Sequence, residues 1–220
     1  GLNGIGIYRS YFSTIINNEV SLNGENGISL RDGSGGILAA DNDIHGNKRY
    51  GLDIENSDSN FIKANHVHEN LNGIIMVRCE NNTLVFNDIC HNYYGISLEF
   101  VNTVVISEND INNNSNDGIQ LRSCDESRIW ENDIRENGND GIHVTESVHT
   151  AIFGNSIVNN SDYGVLVLDR SNLNILMYNT VRQNGGGGFY IYEGEMNLVT
   201  GNTIADNQKF NVRDNMERNK

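Results

Sequence analysis

Eighteen asparagines, two to a repeat, constrain this chain more than any other feature. The motif Asn-x-(Ile/Val)-x-x-Asn begins at Asn18/Asn23 and returns at Asn42/Asn47, Asn65/Asn70, Asn87/Asn92, Asn109/Asn114, Asn132/Asn137, Asn155/Asn160, Asn179/Asn184 and Asn202/Asn207. A glycine followed by an apolar residue keeps the same beat at Gly4, Gly27, Gly51, Gly73, Gly95, Gly118, Gly141, Gly164 and Gly188, with spacings of 22 to 24 residues. A fixed period of this length signals a solenoid. Asparagine at fixed phase adds a mechanism, because stacked amides can donate to and accept from one another along a column.

Within each repeat the Gly-Ile-x-Leu phrase alternates with period two, which turns Ile28 and Leu30, Ile96 and Leu98, or Ile119 and Leu121 to one face of a strand. The preceding glycine is expected to serve a backbone conformation that other residues resist. A second apolar pair follows about ten residues later, as in Phe61-Ile62, Leu84-Val85 and Ile129-Trp130. The Ile or Val inside the Asn motif supplies a third inward position. The period is too short for a two-helix repeat or a propeller blade, and the Leu-x-x-Leu-x-Leu phrase of leucine-rich repeats is missing. With 23 Gly, no Pro and only 20% charged residues, the composition suits short strands and tight turns.

The expected fold is therefore all-β: a right-handed single-stranded parallel β-helix of about nine coils of 22–24 residues, with three short strands per coil. Residues 1–207 are assigned to the helix, and 208–220 to the start of a further coil, at Phe210 to Val212, and a polar C-terminal tail. Neither end carries an evident cap. Open strand edges recruit other chains, so end-to-end self-association or a larger parent chain is expected.

The formal net charge is −14, with no basic block to offset it, which argues against nucleic acid as a partner. Three cysteines, Cys79, Cys90 and Cys124, cannot all pair and form no C-x-x-C motif, so a disulfide scaffold is not expected. No apolar run is long enough to span a membrane and no leader is visible at Gly1. Any export signal is expected to have been removed or to lie outside this sequence.

The pattern of Gly118 to Asn137, GIQLRSCDESRIWENDIREN, resembles the β-helix repeats of the NosD-like and carbohydrate-binding/sugar-hydrolase group, and does so over nearly the whole chain. That resemblance implies an extracellular, cell-surface or periplasmic protein acting on or binding a polysaccharide. Lyases, hydrolases, epimerases and phage tailspikes all share such a fold. A second, more local similarity joins Tyr50-Gly51-Leu52-Asp53-Ile54-Glu55 to the Tyr-Gly-Phe-Asp-Pro-His motif of mannuronan C5-epimerases. Tyr50 and Asp53 match, while Ile54 and Glu55 replace the family's Pro and His.

In families of this fold the substrate groove runs along the outer face of the first strands, which makes the residues alternating with the Gly-Ile-x-Leu interior the candidate site. Asp53, Glu55, Tyr50 and His143 are the candidates for acid–base work. Arg31, Arg78, Glu99, Arg122, Tyr190 and Tyr192 are the candidates for holding substrate. The three arginines fall on alternate coils, a spacing suited to the carboxylates of an acidic polysaccharide, and the tyrosines suit stacking on sugar rings. Mixed charge of this kind also serves simply to solvate an exposed sheet. Ile75, Val77, Leu166 and Leu168 interrupt that face with apolar side chains.

A separate cluster gathers four of the six histidines. The position after the inward Ile/Val is His45, His68 and Cys90 on consecutive coils, with His66, His91, Asp43 and Asp88 beside it. Imidazole and thiol ligands favour Cu or Zn, and NosD-like proteins are associated with copper-site assembly. The row Asp88, Asp110 and Asp133 offers Ca a like-charged column to neutralise. No cofactor is certain from these residues, since polar side chains populate any exposed strand.

Overall fold

A computed structural model describes residues 2–214. Its strands form three parallel sheets of ten, nine and nine members, and within each sheet every strand pairs with its counterpart one coil away. The third coil is typical, with strands Tyr50–Glu55, Phe61–Lys63 and His66–His68. The described residues contain no helix, so nothing in them is a helix long and apolar enough to cross a membrane. This is the right-handed parallel β-helix expected from the repeat, with nine full coils and a tenth first strand, Phe210–Asp214, paired to Gly187–Ile191.

The interior is built of vertical rows. Ile28, Leu52, Ile74, Ile96, Ile119, Ile142, Val165 and Phe189 stand in register, one coil above another, and all are fully buried. Ile62, Leu84 and Ile129 do the same from the second sheet, and Val67, Ile89 and Ile134 from the third. Each such side chain contributes about 1.5–3 kcal/mol of burial.

Between the sheets the asparagines stack into two ladders. The Oδ1 of Asn109 accepts from the backbone N–H of Asn87 and from its Nδ2, both at 2.9 Å. Its Nδ2 donates to the carbonyl of Leu84 at 3.1 Å and to Oδ1 of Asn132 at 2.9 Å. Both lone pairs and both amide protons are thereby used, so a fully buried amide carries no desolvation debt. The second ladder repeats the scheme, for example from Asn92 to Asn114 to Asn137. A shorter third row, Asn60 to Asn82 and Asn174 to Asn197, escaped the sequence reading because Val104, Ser127 and Thr150 interrupt it.

The asparagines also secure the bends. Residues immediately before them adopt the left-handed conformation whatever their chemistry: Ala64 at φ 51°, Phe86 at 57°, Glu108 at 54°, Glu131 at 54° and Tyr178 at 55°. For non-glycine residues this costs roughly 1–2 kcal/mol each. The amide bonds on either side of each bend offset that cost.

The repeated glycine has a different cause from the one expected. None of the residues from Gly4 to Gly188 in that column takes a left-handed φ; instead a Cβ at Gly73 would lie 2.6 Å from the carbonyl oxygen of Gly95 and 2.7 Å from Cγ2 of Ile89. Close approach of coils, not backbone freedom, excludes a side chain there. All three cysteines are free and buried. Burial pushes the thiols of Cys79 and Cys124 up to about 11, so they act as small core residues in a row shared with Ser57 and Ser147.

Asn109→Ala is expected to destabilise the protein by about 3 kcal/mol, because several buried partners lose their bonds together, whereas Asn18→Ala in the first coil costs about 1 kcal/mol. Urea unfolding of the two variants measures the gap, and equal losses would contradict the ladder's role. At the bend, Glu131→Val should cost more than about 1 kcal/mol while Glu131→Gly leaves stability unchanged or raised, in the same assay.

Candidate functional site

The outer face of the first sheet holds two ionic clusters, one across the second and third coils and the other across the sixth and seventh. At the N-terminal end, Asp53 points outward from its strand but is only 2% exposed. Its Oδ2 accepts from Arg31 Nε at 2.7 Å, Asn26 Nδ2 at 2.8 Å and Ser29 Oγ at 3.1 Å. Arg31 also reaches Glu55 at 3.3 Å. Burial tends to lower the pKa of this guanidinium, but the paired carboxylates outweigh it and raise it further. Beside this cluster an open cleft of about 500 Å³ is lined by Tyr8, Asn26, Arg31 and Arg49. The guanidinium of Arg49 lies 4.9 Å from the ring centre of Tyr50 and donates to its hydroxyl at 3.3 Å.

The second cluster is built around His143. In the row just ahead of the repeated glycine, two consecutive coils carry aspartates, Asp117 and Asp140. Each commits one oxygen to the next coil: Oδ1 of Asp117 accepts from the backbone N–H of Asp140 at 3.1 Å, and Oδ1 of Asp140 from that of Tyr163 at 2.9 Å. Their second oxygens both face Nδ1 of His143, at 3.5 and 3.4 Å. Nδ1 is buried in ion-pair contact with both carboxylates, without a well-formed hydrogen bond to either, so the exposed fifth of the side chain lies elsewhere on the ring. Burial alone would lower the imidazole's pKa, but the two aspartates reverse the sign and raise it to about 9. Burial also pushes the Asp140 carboxyl up, against the pull of His143.

Aromatic rings flank this centre. Tyr94 and Tyr163 occupy the Asp117/Asp140 row, one coil below and one above, and Tyr190 stands in the His143 row two coils on. The rings of Tyr163 and Tyr190 are 5.3 Å apart, and Tyr190 lies 6.4 Å from Tyr192. At the far edge of the same strands runs a cleft of about 590 Å³ lined by Ser123, Glu146, Asp169, Arg170 and Glu193.

The other residues singled out from sequence are more dispersed. Arg31 and Arg122 share an outward row with Glu55, Val77 and Glu99. Arg78 does not join it: it sits one residue past its strand, in a left-handed bend at φ 53°, with its guanidinium 5.7 Å from the ring of Phe100. Arg122 faces Glu146 at 3.9 Å. The three arginines therefore do not form one line of carboxylate holders, because Arg78 occupies a turn and Arg31 is committed to Asp53 and Glu55. Asp117 and Asp140 were missed. A signal existed, since Asp-Gly occurs at the repeat glycine in these two adjacent coils with a histidine three residues after the second.

The histidine and cysteine cluster lies on the outer face of the third sheet. His45 stacks on His68 with ring centres 4.8 Å apart, and His66 on His68 at 4.2 Å. Asp43, His66 and His68 form one set of mutually close donor atoms, and His66, Asp88 and Cys90 another. Burial, with Asp88 and Asp110 adding to it, pushes the Cys90 thiol up to about 11. His91 occupies a left-handed bend and joins no donor set among the described residues. The aspartate row needs no calcium to balance it further along, because Arg135 reaches Asp110 at 2.7 Å and Asp133 at 3.1 Å.

Comparison with known proteins adds a family and a set of folds. The family described as periplasmic copper-binding protein (NosD) matches residues 1–92 and 49–184. No curated protein sequence matches. Among solved structures, the A-module of mannuronan C-5 epimerase AlgE6 from Azotobacter vinelandii superposes with a TM-score of 0.77 at 20% identity, over 94% of this chain and 59% of that one. A DFA-IIIase from Arthrobacter chlorophenolicus A6 gives 0.75 at 15%, over 90% and 56%. The periplasmic alginate epimerase AlgG gives 0.63 at 22%, over 90% and 47%. The chain thus spans about half to three-fifths of the length of these proteins.

The geometry around His143 yields a direct test. Its imidazole should titrate by NMR with a midpoint near 9. A raised pKa stabilises the fold fully below the unfolded value near 6.5 and loses that contribution as pH rises through about 9. Unfolding free energy should fall across that window, and His143→Gln should flatten the fall; a His143 midpoint near 6.5 would refute the arrangement.

Proposed function

Because the chain belongs to the NosD family and carries a buried aspartate pair on a histidine whose side chain is only about one-fifth exposed, we propose that it is a carbohydrate-processing β-helix module that works outside the cytoplasm. The observation that carries the reading is the Asp117–Asp140–His143 centre with its flanking tyrosines. A polysaccharide lies along the outer face of the first sheet, with sugar rings against Tyr94, Tyr163 and Tyr190. His143, held protonated at neutral pH by the two carboxylates, is the proton donor to a sugar oxygen. Asp117 and Asp140 position it and keep it charged. Such division of labour between coupled groups is what acid–base chemistry on a glycan requires.

The charge balance favours a neutral glycan over an acidic one. Arg31 is already neutralised by Asp53 and Glu55, Arg122 faces Glu146, and the His143 centre sums to a net negative charge when both aspartates are ionised. The cleft beside Arg49 and Tyr50 serves as an outlying binding point. Neighbours of this fold are named as epimerases of mannuronan and alginate and as a DFA-IIIase in complex with GF2; their likeness supports the β-helix architecture.

The test is a panel of neutral and acidic polysaccharides, read by calorimetry for binding and by reducing-end and unsaturated-product assays for turnover. Turnover should fall as pH rises through about 9. His143→Gln should lose about 100-fold or more in turnover with binding little changed, and Tyr190→Ala should weaken binding by about tenfold. Absence of both binding and turnover across the panel would sink the reading, and turnover confined to uronates would overturn the preference for a neutral glycan.

A further inference from the structure

The second sheet differs from the other two in charge. Each of its nine strands holds three residues with the middle one turned inward, so the first and third face outward. Those eighteen positions, two on each of nine strands, contain no acidic residue in a chain of net charge −14. Lys63 and Arg128 are the only charges among them, and neither joins an ion pair among the described residues. The first sheet, by contrast, carries Asp53, Glu55 and Glu99 on its strands, and the third carries Glu19, Asp43, Asp88, Asp110 and Asp133.

We propose that this face is where two copies of the chain pair side by side, second sheet against second sheet. Its apolar side chains concentrate in coils six to nine. Trp130, Phe153 and Met177 stand in one outward row, and Ala151, Ile175 and Leu198 in the other. The rings of Trp130 and Phe153 stack 6.0 Å apart and 2° from parallel, which makes them rigid anchors. Leu198 is 48% exposed, and in the bends on either side Met196 and Tyr178 are 62% and 68% exposed. Apolar surface this continuous marks a contact site.

The chemistry of the strip selects the partner. Aliphatic, thioether and ring surface offers few donors or acceptors, so a polar partner would leave its own groups unpaired against it. What fits is an equally flat apolar strip, and a second copy supplies one. Electrostatics favours the same occupant: two chains of charge −14 repel across their acidic first and third sheets, and only the second-sheet strands present no acid to their own counterparts. Such an isologous contact is self-complementary about a two-fold axis. Two flat sheets stack face to face with their strands nearly aligned. Nine strands spaced about 4.8 Å apart, with their flanking bends, make a strip about 40 Å by 20 Å, close to the roughly 800 Å² per partner of a standard interface. Exposed glutamates in the bordering bends, Glu108, Glu126 and Glu131, supply counter-ions for Lys63 and Arg128 across the pair. The first-sheet face stays open in this arrangement, so the pairing does not rest on the glycan reading.

The experiment is sedimentation equilibrium with light scattering on the full chain, from low micromolar to near-millimolar concentration. The expected result is a species of twice the 24.5 kDa chain mass. Phe153→Glu and Ile175→Glu, which place an acid on the strip, should each weaken pairing about 100-fold or more, whereas Arg122→Glu on the first sheet should change it by less than about threefold. Far-UV circular dichroism verifies that each variant is folded, and Leu198→Glu, at an exposed position, replaces either strip variant that is not. A monomer at every concentration overturns the proposal and assigns the strip to a different partner. A dimer that persists in the folded strip variants overturns it as well. So does growth past two copies that those variants leave unchanged, which would place the contact at the open ends of the rod.

Discussion

Coil-to-coil hydrogen bonding through saturated asparagine amides is the interaction on which everything else in this protein depends. A three-stranded coil has to turn sharply between sheets, and it does so with left-handed residues as unsuited to that conformation as Phe86 and Tyr178. The two ladders hold those bends by giving each buried amide a partner for every donor and acceptor. Strain at one point is thus offset by bonding at the next residue, and the arrangement repeats up the rod.

Stacking at nearly constant register also creates the functional surfaces. Residues some 23 positions apart become neighbours separated by one strand spacing, so an outward row is a column of side chains that natural selection can vary coil by coil. Asp117 and Asp140 show the consequence. Each ties one oxygen to the backbone of the next coil, as Asn26 does with Tyr50, and spends the other on His143. A position that ties one coil to the next thereby also faces a histidine, within the same strand register.

The two outer faces carry different side-chain clusters. On the first sheet, two buried carboxylates hold an imidazole charged among tyrosine rings; on the third, imidazoles take the place that Arg135 fills further along the same rows. A solenoid permits this separation because its faces share a core and a ladder but no side chains.

The periodicity of Asn, Gly and Ile was legible without coordinates, since a repeat read nine times leaves one architecture that satisfies it, and the inward rows from Ile28 to Phe189 followed from alternation alone. The side-chain partnerships were not legible. That Asp53 is closed off by Arg31, Asn26 and Ser29, that Arg78 falls in a bend, and that His66 faces one carboxylate with each nitrogen all depend on lateral offsets of a single residue between coils. The repeat specifies which rows exist, because burial and amide bonding act identically on every coil. Only the tertiary structure decides which charges meet, because ion pairing depends on distances of a few ångströms that a spacing of 22 to 24 residues leaves open.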